Sequence, residues 1–295
     1  MSAGGLYFLS GLHTSYQKSH NGGYKVGETV MEVKEVLDGL HGQGTGGALQ
    51  HVSPAIASFD CMPDLCVFVH RSYEPKVQNG KSDFHTAAMA QKPVTDKIAP
   101  HNYDLFYEKY LNSIHLGGRS IAPYDNQCHL PSFASPISYF KNMLEIHIFE
   151  FSQNCAQSWA LEHKPDAELH FGDQANVAHL QAMLDKLTGP IDILIDDGGH
   201  SMNQQITSFN YLFPHMRVGG LYFLEDLETS YKPNYGGGYK GNTTVEYIKD
   251  LLDNLNGHGP EGPVSDLIAS IDCQKELCLF VRGEKRPSKA KPWWQ

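Results

Sequence analysis

A stretch that occurs twice constrains this chain more than any other feature. Residues 4–44 and 219–259 align without a gap at an offset of 215, and 22 of those 41 positions are identical. After a three-residue insertion in the first copy the match resumes: residues 57–61 pair with 269–273, and Cys66 pairs with Cys278. The two copies part at one telling place. GGLYFLSGLHTSY (residues 4–16) carries Ser10 and Gly11 where GGLYFLEDLETSY (residues 219–231) carries Glu225 and Asp226. A paired carboxylate can hold a cation or handle a proton, whereas Ser-Gly cannot. The second copy is therefore the one to read for chemistry, and the first reads as a blunted relic of it.

The 295 residues divide accordingly into a degenerate partial repeat (1–72), a polar, turn-rich linker (73–92), a larger α/β domain (93–285) and a tail (286–295). A net charge of −10 without a long Lys/Arg cluster argues against a nucleic-acid or anionic-membrane partner. No apolar run of 18 residues occurs, and the first residues lack the pattern of a signal peptide. Four of the six cysteines form two C-x4-C pairs, Cys61/Cys66 and Cys273/Cys278, flanked by β-type residues. They read as buried thiols of two hairpins in a reduced, cytoplasmic protein.

The repeat fragment reads as a strand (6–9), a Gly-rich loop (21–24), an amphipathic helix (29–40) and a hairpin (56–69). Beyond the linker, helices are expected over 103–111, 137–143, 155–163, 177–187, 202–213 and 243–255. Strands are expected over 145–151, 168–171, 191–195 and 220–224, with a turn at 214–220 and a closing hairpin over 267–281. Strands that alternate with helices of this length make βαβ units, hence an α/β, Rossmann-like, doubly wound and mainly parallel sheet. A partial repeat of its C-terminal third would precede it, either packed as a small lobe that buries strand 6–9 or left as the end of a tandem array.

In such sheets ligands bind beyond the carboxyl ends of the strands, where both acidic clusters of the larger domain fall. Asp197 follows one strand and Glu225-Asp226 the next. If those strands are neighbours, about 4.8 Å apart, three carboxylates converge on one point. Oxygen ligands of this kind suit a hard cation, Mg²⁺ rather than Zn²⁺. Gly198-Gly199 turns the chain so that His200, with an unperturbed pKa of about 6.5, stands beside the ion as a general base. A plain turn at 197–199 and a capping role for Glu225-Asp226 are the alternative. No H-E-x-x-H, G-x-S-x-G or phosphate-binding G-x4-G-K-S/T motif is present. Gly236-Gly237-Gly238 reads equally as a flexible loop over the site mouth or as a turn.

IDILIDDGGHSMNQQITSFNYLFPHMRVGGLYFLEDLETSY (residues 191–231) resembles the core of the class I S-adenosylmethionine-dependent methyltransferases. Within them it is most similar to the macrocin/mycinamicin-type sugar O-methyltransferases. The resemblance runs over about 94–283, through residues 94–97, 107–111, 145–151 and 172–174. It implies S-adenosylmethionine and Mg²⁺ as cofactors and a hydroxylated small molecule, a sugar or secondary metabolite, as acceptor. Asp197, Glu225 and Asp226 would hold the metal, and His200 would take the proton from the acceptor. Glu150, at a strand end, would bind the ribose of the cofactor. Asp173, Gln174, Thr95 and Asp197 would also face the cofactor. A homo-oligomer is compatible with the sequence.

The chain departs from the family at its first strand, where E-I-G-x-G-C-G is replaced by Ser120-Ile-Ala-Pro-Tyr-Asp-Asn-Gln-Cys128. Without those glycines the backbone approaches a ligand less closely. A catalytically inactive methyltransferase-like scaffold is therefore the competing expectation.

Overall fold

Both copies of the repeat enter a single ten-stranded sheet. The computed structural model describes residues 6–17, 28–42, 55–70, 83–90, 94–95, 97–111, 119–124, 143–163 and 166–287. Its strands are β1 (Leu6–Ser10), β2 (Ile56–Met62), β3 (Leu65–His70), β4 (Arg119–Tyr124) and β5 (Glu145–Glu150). They continue with β6 (Glu168–Phe171), β7 (Ile191–Asp196), β8 (Met216–Leu224), β9 (Ile268–Gln274) and β10 (Leu277–Arg282). Across the sheet the order is β1-β3-β2-β9-β10-β8-β7-β4-β5-β6.

From β8 to β6 every pairing is parallel, as the βαβ pattern requires. From β8 outward through β10, β9, β2, β3 and β1 every pairing is antiparallel. The doubly wound expectation thus holds for the larger domain, and the relic extends it as an antiparallel wing. The strand expected at 220–224 begins at Met216 instead. Gly219, at φ +83°, sits where the register against β7 shifts, so the Gly-Gly step bends the strand without ending it.

The helices are α1 (Glu28–Leu40), α2 (Asp83–Met89), α3 (Asp104–Leu111), α4 (Gln153–His163), α5 (Val177–Leu184), α6 (Met202–Leu212) and α7 (Thr244–Leu255). The apolar stripes of α1, α5, α6 and α7 bury Val36, Leu37, Leu180, Phe209, Ile248 and Leu252 in one core. Phe84 and Ala88 of α2 join Tyr103, Phe106, Tyr107 and the strand residues Ile193 and Phe223 in a second core. Part of the expected linker is therefore a packed helix. Its polar flanks conceal a short apolar face with only two fully buried side chains.

The relic does not bury its first strand. β1 lies at the sheet edge, with Leu6, Tyr7 and Phe8 half exposed or more. The expectation of a lobe folded over that strand is corrected: the relic docks side by side through β2 on β9, which leaves β1 outermost.

The cysteines also differ from expectation. Cys61 and Cys66 are disulfide-bonded, as are Cys273 and Cys278, and Cys155 is bonded too. In each hairpin the two cysteines are directly opposed across the strands, with Cα atoms 4.2 and 4.1 Å apart. A spacing of this order is that of a non-hydrogen-bonded antiparallel pair, so the sulfurs meet. Among the described residues no helix is long and apolar enough to cross a membrane. The expected loop at 21–24 and all but the last residue of the helix expected at 137–143 lie outside the described residues, as do residues 125–128 of the altered segment.

Candidate active site

β7 and β8 run parallel with Asp196 opposite Leu224, so their carboxyl ends release Asp197 and Glu225-Asp226 side by side. The Glu225 amide donates to the Asp196 carbonyl at 3.0 Å and locks the two exits together. Below them Asp196 is an anchor. Its buried carboxylate accepts from Gln174 Nε2 (3.0 Å), Ser208 Oγ (2.6 Å) and Tyr222 Oη (2.5 Å). Burial pushes its pKa up, and those hydrogen bonds oppose the rise.

The turn after Asp197 requires glycine for close packing. A Cβ on Gly198 would lie 1.7 Å from Gln174 Oε1, and one on Gly199 would lie 2.3 Å from Gln204 Oε1. His200 follows with φ +55°, and Ser201 opens α6 with a capping box closed by Gln204. The Thr229 hydroxyl donates to the His200 carbonyl at 3.1 Å, which ties this turn to the segment after Asp226.

These constraints bring Asp197, His200 and Asp226 together, with one ligand atom of each within 4.8 Å of the others. His200 Nε2 lies 3.4 Å from Asp226 Oδ2, and the buried Nδ1 has no hydrogen-bond partner. Asp226 occupies left-handed backbone, φ +54°. The matching residue of the relic, Gly11, has φ +76° and is the residue such backbone favours. Aspartate is among the few non-glycine residues that adopt this backbone readily, so the carboxylate is accommodated there.

Glu225 takes a different place from the one expected of it. Its buried carboxylate accepts from Lys97 Nζ at 2.6 Å and from the Tyr107 hydroxyl, and Lys97 also reaches Asp197 Oδ2 at 2.9 Å. A buried ammonium therefore bridges two of the three expected metal ligands, and Glu225 stands outside the Asp197/His200/Asp226 group. Burial drives the Glu225 pKa up to about 8 despite Lys97. Asp226 is pushed up to about 6, first by burial, with His200 pulling the other way. Tyr103 donates to Asp226 Oδ1 at 3.1 Å. The phenols of Tyr103 and Tyr107 are driven well above their ordinary value by burial and then by these acids, so both stay protonated as donors. Behind Asp226, His101 Nδ1 lies 2.9 Å from Glu276 Oε2, and that bond draws Glu276 down to about 2.

Lys97, Tyr103 and Tyr107 lie outside the set that the strand-end pattern points to. The available signal was their spacing, with Tyr103 and Tyr107 one helical turn apart just after Lys97. Thr95 is buried beside them and its hydroxyl accepts from the Lys97 amide at 3.4 Å.

The expected cofactor residues fall at the neighbouring strand ends. Glu150 closes β5, wholly buried, and accepts from the Ser152 amide at 2.7 Å. Asp173, after β6, caps its own turn through the Ala175 amide at 2.9 Å. Gln174 is 4 % exposed and its side-chain amide is committed to Asp196, Ser208 and the Gly199 amide. The side chain expected to meet a cofactor is thus turned inward, where it supports the Asp197 turn. Residues 236–238 form a hydrogen-bonded turn, with Gly237 and Gly238 donating to the Lys232 and Ser230 carbonyls. The Tyr235 ring before it stands 6.3 Å from the His200 ring.

No protein-family model matches the chain. A Streptomyces olivaceus protein named 8-demethyl-8-alpha-L-rhamnosyl tetracenomycin-C 2'-O-methyltransferase is 42 % identical over 95 residues, which is 32 % of this chain and 25 % of the relative. Demethylmacrocin O-methyltransferase of Streptomyces fradiae is 49 % identical over 71 residues, 23 % of this chain and 18 % of the relative. Among solved structures, the MycE methyltransferase of the mycinamycin biosynthetic pathway, in complex with Mg, SAH and mycinamycin VI, superposes with a TM-score of 0.61 at 24 % identity. That match covers 72 % of this chain and 58 % of the other. The chain spans less than two thirds of the length of each of these proteins. Over the matched segments the chain is thus similar in sequence to macrocin- and tetracenomycin-type sugar O-methyltransferases, and over most of its length it shares the fold of MycE.

Proposed function

We propose that the chain is a Mg²⁺-assisted, S-adenosylmethionine-dependent O-methyltransferase acting on a hydroxyl of a small molecule, a sugar or other secondary metabolite. The observation that carries this reading is the convergence of Asp197, His200 and Asp226 at the carboxyl ends of two adjacent parallel strands. The donor set fits a hard divalent cation. It offers carboxylate oxygens, and burial leaves Asp226 at about 6 and Glu225 at about 8, two acids short of positive charge. Asp197 and Asp226 would hold the ion, with Glu225 completing the set where Lys97 yields it. When bound, Mg²⁺ would orient the acceptor oxygens and lower the pKa of the one that attacks.

The remaining work falls to the protein. His200 takes the acceptor proton at Nε2, the nitrogen that faces the acids, and Asp226 offsets the charge that forms on the ring. Lys97 fixes Asp197 and Glu225, and Tyr103 fixes Asp226, so the acids are placed before any ligand arrives. Tyr235 stands edge-on to the imidazole. Glu150, Asp173, Thr95 and Asp197 border the place where the methyl donor would lie, and Gln174 acts through the turn that carries Asp197. The donor is a cytosolic metabolite, which supports a cytoplasmic enzyme. The scaffold reading is not favoured, because Asp197, His200 and Asp226 still converge at the strand ends.

Calorimetry with S-adenosylmethionine, with and without Mg²⁺, together with transfer of a labelled methyl group to glycosides bearing free hydroxyls, tests the proposal. Saturable binding and Mg²⁺-dependent transfer are expected. Absence of binding by the folded protein in both titrations would overturn it.

A further inference from the structure

The contacts between the relic and the second repeat are reciprocal. Tyr16 Oη donates to Asp253 Oδ1 at 2.7 Å and Lys34 Nζ to Asp253 Oδ2 at 2.5 Å. On the other side Tyr231 Oη donates to Asp38 Oδ1 at 2.7 Å and Lys249 Nζ to the same atom at 2.5 Å. The offset of 215 that aligns the copies carries Tyr16 onto Tyr231, Lys34 onto Lys249 and Asp38 onto Asp253. Each repeat thus gives the other the contacts it receives. All four charged groups are nearly fully buried.

The strands obey the same rule. β2 and β9 run antiparallel with Asp60 opposite Asp272, Phe59 opposite Cys273 and Cys61 opposite Ile271. The sequence match pairs Asp60 with Asp272, Phe59 with Ile271 and Cys61 with Cys273. A pseudo-two-fold axis therefore passes between Asp60 and Asp272, and β1-β3-β2 mirrors β8-β10-β9 in strand order across it. Reciprocal contacts about a two-fold axis define an isologous interface, the kind that joins identical copies. Ordinary packing of two unlike segments has no reason to obey that rule.

We infer that the face formed by α7 and β9 recognises a second copy of itself, and that α1 and β2 of the relic occupy it within the chain as a tethered stand-in for that copy. The partner it fits is a second methyltransferase domain of this sequence, seated with Lys249 of each copy on Asp253 of the other. The inference rests on the repeat geometry alone and stands apart from the proposed activity.

The test uses the full chain. Lys34→Asp with Asp38→Lys sets like charges together at both contacts and leaves Tyr231, Lys249 and Asp253 intact. Analytical ultracentrifugation should find the wild type monomeric and this variant a discrete dimer. Adding Lys249→Asp and Asp253→Lys restores opposite charges within the chain and should return the monomer. In a mixture of isotopically labelled and unlabelled dimeric variant, carbodiimide should join Lys249 of one chain to Asp253 of another. If the charge-reversed variant fails to fold, Lys34→Gln with Asp38→Asn weakens the same docking without repulsion and is expected to dimerise. A folded variant of either kind that stays monomeric overturns the inference. So does a wild-type dimer whose Lys34–Asp253 cross-links run between chains.

Discussion

The Lys97 ammonium lies 2.6 Å from a Glu225 carboxylate oxygen, and both side chains are only 2 % exposed. Above about pH 8, where Glu225 is ionised, removing one member of such a buried pair leaves an uncompensated charge, a cost of about 3 kcal/mol. Lys97→Met should therefore lower stability in chemical denaturation by about that amount. If the acids form a cation site, millimolar Mg²⁺ should recover part of the loss. Equal melting of wild type and variant without metal would show that the pair contributes nothing.

Asp226 supplies a pH dependence. Its folded-state pKa, about 6, lies above the ordinary 3.8. The raised value means that the relative stability is fully present below pH 3.8 and is lost as pH rises through about 6. Asp226→Asn keeps an acceptor for Tyr103, tolerates left-handed backbone and removes the charge. Above pH 7 the variant should be more stable than the wild type by about 3 kcal/mol, with the difference vanishing near pH 4. Calorimetric scans across that range measure it. Any Mg²⁺-dependent activity should disappear in the same variant.

His41 gives the opposite slope. Buried completely against Cys278, its imidazole is held down at about 3 by burial. A lowered folded-state value means stability that is present above pH 6.5 and is lost as pH falls toward 3, by about 1.4 kcal/mol per pH unit. His41→Asn, which installs the residue found at the matching position 256, should flatten that acid limb in urea titrations between pH 6 and 4.

His200→Ala should leave the melting temperature nearly unchanged. If His200 is the base, methyl transfer should fall by about 10²–10⁴-fold, without a matching loss of cofactor binding. A variant as active as the wild type would remove the imidazole from the mechanism.

Gly198→Ala places a methyl group against the Gln174 side chain and should cost about 2 kcal/mol. Gln174→Ala relieves the clash, so the double variant should be less destabilised than the two single losses combined. Strict additivity in a thermal-melt cycle would mean that the turn adapts without touching Gln174.

Much of this architecture was legible in the sequence because hydrophobic period reports elements directly: β7 is buried at every residue, and α7 sends Val245, Ile248, Leu251, Leu252 and Leu255 into the core at helical spacing. The strand-end acids were legible for the same reason, since a strand's exit fixes where the next residues go. Lys97 was not, because its partners lie 100 and 128 residues away and no local pattern encodes such a pairing. The inward turn of Gln174 was hidden likewise, as was the disulfide state, which depends on cross-strand register. The repeat announced itself plainly. What it could not reveal was where the copy would sit, because either end of a sheet accepts a strand.

In an assembly of two identical subunits, any change at the contact is made twice, once on each side of the axis. Here the Asp60–Asp272 axis lies inside one polypeptide, so a substitution at Asp253 removes one of two equivalent contacts and leaves the other standing. The two halves of the junction are free to diverge. The relic needs only to keep its docking side chains, and its tip carries Ser10-Gly11 where the second copy carries Glu225-Asp226.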